Sequence, residues 1–323
     1  MNCLNRRGLP GKPRVVFLGT PDFAVPTLRS LVQAGHRVTG VVTQPDRPKG
    51  RGRRLGMSPV KEAALALGLQ VLQPEKVSEP AFCSRIAALS PDLLVVVAFG
   101  QILKKNLLRL PKWGALNIHA SLLPRYRGAA PIQWALINTE SRTGLSAMCM
   151  DEGLDTGPVL HQEQLEIQEN ETAGELHDRL SEMAGMFILR VLEKGIEGTL
   201  MMVDQDDAEA SYAPKIDRHM APIDWSETGA TTHGKIRAFD PWPGATTSLS
   251  GKKLKIFSSR LVGEGKRTGR PGRIAGISVD GVVVETGDGL IELGALQLEG
   301  KRRLPAPDFL RGFPLMEGTL LGA

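Results

Sequence analysis

Asn117 and His119 stand two residues apart at the end of a short apolar stretch, Gly114-Ala115-Leu116. On a β-strand, residues i and i+2 share a face, so this spacing sets a carboxamide beside an imidazole. The carboxamide can donate N–H to a developing oxyanion. The imidazole can do the same, or move a proton near neutral pH. Ser121 then opens a loop that Pro124 stiffens. A third polar group follows downstream. Asp155 lies in the glycine-punctuated run Asp151-Glu152-Gly153-Leu154-Asp155-Thr156-Gly157, from which a carboxylate can orient the histidine or take a proton. Asn117, His119 and Asp155 together suit acyl transfer.

Such a set works only if secondary structure brings it to one place. Residues 14–18 are an apolar, β-branched run, 23–34 carry helical periodicity, and 37–43 return to a strand pattern. Residues 59–67 and 79–89 read as helices and 69–72 as a short strand. The continuous apolar run 93–98 is that of a central parallel strand buried on both faces. A helix over 129–137 has Pro131 in its first turn. A strand over 144–150 leads to the Asp155 loop, and 159–167 alternates like an edge strand. The long amphipathic helix over 172–194 is expected to be capped by Thr172 and ended by Gly195.

This alternation predicts an α/β domain with a doubly wound, Rossmann-like parallel sheet. Beyond a polar run, a helix over 226–239 precedes five short strands, at 245–249, 253–261, 272–278, 282–285 and 290–298. Their size suggests a small OB-like β-barrel, although periodicity alone could equally mean a sandwich; a short helix over 307–313 follows. The expected divisions are a disordered extension over 1–13, a catalytic domain over 14–203, a linker over 204–221 and a C-terminal domain over 222–323.

The chain resembles the folate-dependent formyltransferases. The likeness rests on Asn117-x-His119, Ser121-Leu122-Leu123-Pro124 with Gly128, and Asp151-x-Gly153-x-Asp155-x-Gly157. It runs from about Arg14 to Leu310. It implies catalysis by Asn117, His119 and Asp155, and a folate pocket lined by Ser121, Leu122, Leu123 and Pro124, with the pterin near residues 99–103. The implied donor is 10-formyltetrahydrofolate, used without a metal. Residues 44–56 resemble an insertion of the tRNA-directed branch, rich in Pro and Gly and carrying Arg47, Lys49, Arg51, Arg53 and Arg54. The resemblance implies that this arm contacts the acceptor stem of initiator methionyl-tRNA. By composition it is expected to be an unstructured loop with Lys61 among its cations.

The whole chain is compatible with that reading. It has 323 residues, 41% hydrophobic and 23% charged, as in a soluble globular protein of about two domains. Its formal net charge of +5 suits an anionic partner. Cys3, Cys83 and Cys149 are too far apart in sequence for a zinc knuckle. No apolar run approaches the ~20 residues of a membrane span. A monomeric, cytoplasmic enzyme is expected. Two other classes stay open from sequence: a formyltransferase for a small amine, and an RNA-binding protein without catalysis.

Overall fold

The computed structural model describes residues 9–49, 54–263 and 269–322. The chain divides into two compact units. The first comprises Met1–Gly128, Thr143–Leu165 and His177–Tyr212; the second comprises Ala129–Arg142, Glu166–Leu176 and Ala213–Ala323.

In the first unit, seven strands form one sheet: β1 (Arg14–Gly19), β2 (Arg37–Val42), β3 (Val71–Leu72), β4 (Leu93–Val97), β5 (Ala115–His119), β6 (Arg142–Cys149) and β7 (Val159–Glu166). Their order across the sheet is β7-β6-β5-β4-β1-β2-β3. The pairs β1/β2, β1/β4, β2/β3 and β4/β5 are parallel, and β5/β6 is antiparallel. The expected parallel sheet is therefore present through β5. All five residues of β4 are buried, as its unbroken apolar run requires of an inner strand. One face carries Val16, Leu18, Leu94 and Val96 against Phe82, Ile86 and Leu107. Burying each such side chain contributes about 1.5–3 kcal/mol. β7 lies at the sheet edge, and from His161 on its residues alternate between half-buried and exposed, as its sequence pattern predicts.

Three local expectations change in this unit. The helix Ala173–Glu197 runs through Gly195 instead of stopping there. Gly198, at φ +72°, is the residue past its end that takes the left-handed conformation. Gly195 is small for another reason: a Cβ there would lie 2.7 Å from Leu9 Cδ1. Leu9 had been expected in a disordered stretch, yet it is buried and its N–H donates to the Gly195 carbonyl at 2.8 Å. Residues 1–8 lie outside the described residues.

The third change concerns the basic arm. Arg47–Lys49 and Arg54–Gly56 pair antiparallel, with Arg47 opposite Gly56 and Lys49 opposite Arg54. A two-stranded ladder leaves alternate N–H groups pointing outward, so Pro48 is tolerated in it. Arg51 and Arg53 lie outside the described residues, as do the side chains of Lys49 and Arg54. The base of the hairpin is pinned, because Asp46 accepts from Lys61 Nζ at 2.5 Å and from Gln73 Nε2 at 2.8 Å. Lys61 is thus committed to Asp46 and is not a spare cation of the arm.

The second unit contains β8 (Ala245–Leu249), β9 (Lys252–Val262), β10 (Ile274–Ile277), β11 (Val282–Glu285) and β12 (Leu290–Leu298). They form an antiparallel sheet in the order β8-β9-β12-β11-β10, the small β-domain expected. The helix before it is Gly229–Ala238, three residues shorter at its start than the sequence pattern suggests. Thr228 is its N-cap, accepting from the Thr231 N–H, while Asp224 holds Ser226 in the preceding turn. Two of the basic residues in this unit are satisfied internally. Lys255 donates to the Pro243 carbonyl at 2.7 Å, and Arg273 pairs with buried Glu285 at 3.0 Å. Among the described residues, no helix is long and apolar enough to cross a membrane.

Candidate active site

Asn117 and His119 occupy the carboxyl half of β5, between β4 and β6, and both are buried. The register sets Asn117 opposite Met148 and His119 opposite Ser146 on β6. The Asn117 carboxamide makes no hydrogen bond to another described residue. It remains available as a donor.

His119 is held at both ring nitrogens. Nδ1 lies 3.0 Å from Ser121 Oγ, whose own hydrogen is given to the Arg125 carbonyl at 2.7 Å. A hydroxyl has one hydrogen, so Ser121 accepts and Nδ1 donates. Nε2 faces the Gly128 carbonyl at 3.2 Å and Asp155 Oδ2 at 3.3 Å, both acceptors. Both ring nitrogens therefore face hydrogen-bond acceptors. Sequence alone does not show these partners, because they come from the loop beyond Ser121 and from Asp155.

Asp155 is the counter-charge. Burial pushes its carboxyl up, but this is outweighed by the hydrogen bond and charge of His119, the Gly128 N–H at 2.8 Å and the charge of Arg127. The carboxyl is held below the usual carboxylate range. Its backbone takes the left-handed conformation at φ +54°, uncommon for a side chain other than glycine. The flanking glycines make that loop possible. A Cβ on Gly153 would lie 2.0 Å from Thr156 Oγ1, and one on Gly157 would lie 1.7 Å from the Cys149 carbonyl oxygen.

Of the residues expected to line a folate pocket, Ser121 and Leu123 are buried, while Leu122 and Pro124 are half-buried. Ser121 orients His119. The Leu123 N–H donates to Ser146 Oγ at 3.0 Å, and its carbonyl accepts from Gln162 Nε2 at 2.8 Å. A cavity of about 420 Å³ lies nearby in sequence, walled by Leu108, Leu110, Pro111, Ala115 and Met150, with Glu152 and Lys105 also lining it. Met150 and Glu152 lead directly into the Asp155 loop.

Two residues at the site carry no signal that singles them out in the sequence. Arg127 is 2% exposed, and its Nε donates to Gln205 Oε1 at 3.0 Å. Gln205 Nε2 donates to the carbonyls of Asp155 and Gly157, at 2.8 and 2.7 Å. Gln205 sits in an acid-rich run that reads as linker, and nothing local marks it as reaching back fifty positions. Arg127 does stand inside the signature loop, where a buried guanidinium could have been suspected.

The chain is similar to known proteins. A family model described as "Formyl transferase" matches residues 13–192, and one described as "Formyl transferase, C-terminal domain" matches residues 215–314. The chain is 49% identical over 309 residues to the methionyl-tRNA formyltransferase of Geobacter sulfurreducens, covering 96% of both chains. Among solved structures, it is similar to an N-formyltransferase from Helicobacter canadensis in complex with folinic acid and dTDP-3-aminofucose. That match has a TM-score of 0.65 at 21% identity, covering 87% of this chain and 98% of that one. It also spans about half of HypX from Aquifex aeolicus in complex with tetrahydrofolic acid, with a TM-score of 0.62 at 18% identity over 97% of this chain and 51% of that one.

Proposed function

The chain belongs to the formyl transferase family, and on that premise we propose that Asn117, His119 and Asp155 carry out its reaction. The enzyme transfers a formyl group from 10-formyltetrahydrofolate to the α-amino group of methionyl-tRNA, giving formylmethionyl-tRNA. The donor supplies a formyl carbon made electrophilic by its aniline-like nitrogen. The observation that carries the residue assignment is His119 held between Ser121 and the buried Asp155 carboxylate. That pair stands two residues from a carboxamide that makes no hydrogen bond to another described residue.

In this reading the Asn117 N–H donates to the oxygen that becomes negative as the amine adds. His119 shares that task in a site of low dielectric, where electrostatic stabilisation is worth more than in water. Asp155 orients His119 and takes up the proton that the amine loses, directly or through a water; as the bond from the formyl carbon to N10 breaks, N10 receives a proton and tetrahydrofolate leaves. The pterin is assigned to the segment 99–103, as the family resemblance implies; the cavity of about 420 Å³ is lined in part by Lys105, Arg109, Lys112 and Glu152 and includes no residue of that segment. Ser121, Leu122, Leu123 and Pro124 border the formyl-bearing end of the donor. The partner is taken to be initiator methionyl-tRNA, and the protein a cytoplasmic monomer. Residues 14–203 serve as the catalytic domain, 204–221 as the linker and 222–323 as the tRNA-binding domain.

The direct test is formyl transfer from 10-formyltetrahydrofolate to charged initiator tRNA, with small amino sugars as competing acceptors. No transfer to tRNA by the folded protein removes the reading.

The basic hairpin gives a second measurement. Arg47, Lys49, Arg51, Arg53 and Arg54 would neutralise acceptor-stem phosphates. Neutralising Arg47, Arg51 and Arg53 together should flatten the slope of log affinity against log salt by roughly two to three units. Among the described residues, the Arg47 side chain hydrogen-bonds to Gln44 at 3.4 Å on the exposed surface, so its loss should leave the melting temperature almost unchanged. Unchanged tRNA affinity across a salt series would move the acceptor back to a small amine.

A further inference from the structure

We propose that Arg127 and Gln205 form a positioning strut that holds Asp155 in its working conformation, so that both residues serve the reaction without touching substrate. This inference rests on the role given to Asp155 above.

Gln205 makes three directed bonds: its oxygen accepts from Arg127 Nε at 3.0 Å, and its nitrogen donates to the Asp155 and Gly157 carbonyls at 2.8 and 2.7 Å. Turning the carboxamide over would set its oxygen against two carbonyl oxygens, so only one orientation is allowed. The two carbonyls lie on either side of Thr156, so the strut grips the loop at Asp155 and again just past it. Asp155 is there in the left-handed conformation, which needs outside support to persist. From the other side the Gly128 N–H holds its carboxylate. Gly128 is the next residue after Arg127, so one short segment restrains both the backbone and the side chain of Asp155.

The cost of Arg127 points the same way. Its side chain is 2% exposed, it pairs with Asp207 at 2.8 Å, and its Nη2 is buried with no hydrogen-bond partner among the described residues. Asp207 itself is 83% exposed on its side chain, so it repays little of the desolvation of the guanidinium. A residue kept only for stability would be better replaced by an apolar one. What Arg127 does supply is a positive charge that lowers the Asp155 carboxyl. The charged groups around Asp155 are His119 from β5, Arg127 from the signature loop, Asp207 behind it, and Asp151 at the start of the loop. Asp151 is occupied by the Gly153 N–H and Thr156 Oγ1.

The test uses the full chain with Gln205→Met and Gln205→Glu. Methionine keeps the length and removes all three bonds. Glutamate keeps the contact with Arg127 but turns acceptors toward the two carbonyls. Wild-type activity is measured first, and its absence would strike the function proposed above without touching the strut. Given an active wild type, both variants should lose at least tenfold in kcat with KM for tRNA and folate within twofold. The acidic limb of kcat should move to higher pH, because a loosened Asp155 protonates more readily. Arg127→Lys should recover part of the pH profile relative to Arg127→Met, since it keeps the charge. An unchanged kcat and acidic limb would overturn the strut. So would a rise in KM alone, or loss of the folded state in both Gln205 variants, which would make it a stability element.

Discussion

Asn117→Ala and His119→Ala should each lower turnover by about 10²–10³, the usual cost of losing a preorganised group at a developing oxyanion. KM for tRNA should stay near wild type, because both groups act on the transition state. Stability should separate the two. The Asn117 carboxamide makes no hydrogen bond to a described residue, so Asn117→Ala should melt close to wild type. His119→Ala strips the buried Asp155 carboxylate of its main counter-charge and leaves Ser121 Oγ without its donor. It should melt lower, and the deficit should depend on pH. The folded-state value of Asp155 is depressed, so its contribution to stability is present above the unfolded carboxyl value and lost as pH falls through the folded one. The gap between the two melting curves should therefore close under acid. Equal melting of both variants at neutral pH would contradict the His119–Asp155 pair, and near-normal turnover in either would remove that residue from the mechanism.

Gly157→Ala should be as damaging without removing any functional group. Its Cβ would stand 1.7 Å from the Cys149 carbonyl oxygen and 2.9 Å from the carbonyl carbon. Both belong to backbone at the end of β6 and cannot swing aside as a side chain would. The loop has to move, and the Gln205 bond to the Gly157 carbonyl moves with it. A misplacement of about 1 Å in a catalytic group costs on the order of 10² in rate. Overpacking of this kind costs about 1–3 kcal/mol, a fall in melting temperature of roughly 2–10 °C for a chain of this size. Gly276→Ala, where a Cβ meets nothing within 4 Å, is the matched control. Activity of Gly157→Ala within a few-fold of wild type would show that the loop tolerates displacement and that Asp155 needs no fixed position.

What the amino-acid order determined by itself is whatever depends on near neighbours. The pairing of Asn117 with His119 on one face follows from the two-residue period of a strand, and the unbroken apolar run of β4 places it inside the sheet. Thr172 and Glu175 cap each other across three residues, as their spacing allows. Tertiary structure decided everything that depends on which distant group arrives. Gly195 and Gly198 are alike in sequence, and only the approach of Leu9 to one and the left-handed turn at the other tell their roles apart. The basic arm reads as loop until its two halves pair. The partners of the His119 ring nitrogens likewise arrive only with the fold, from the Ser121 loop and from Asp155. Gln205 is the clearest case. A carboxamide has no intrinsic preference for a backbone carbonyl fifty residues away, so its hold on Asp155 exists only once the chain has folded around both.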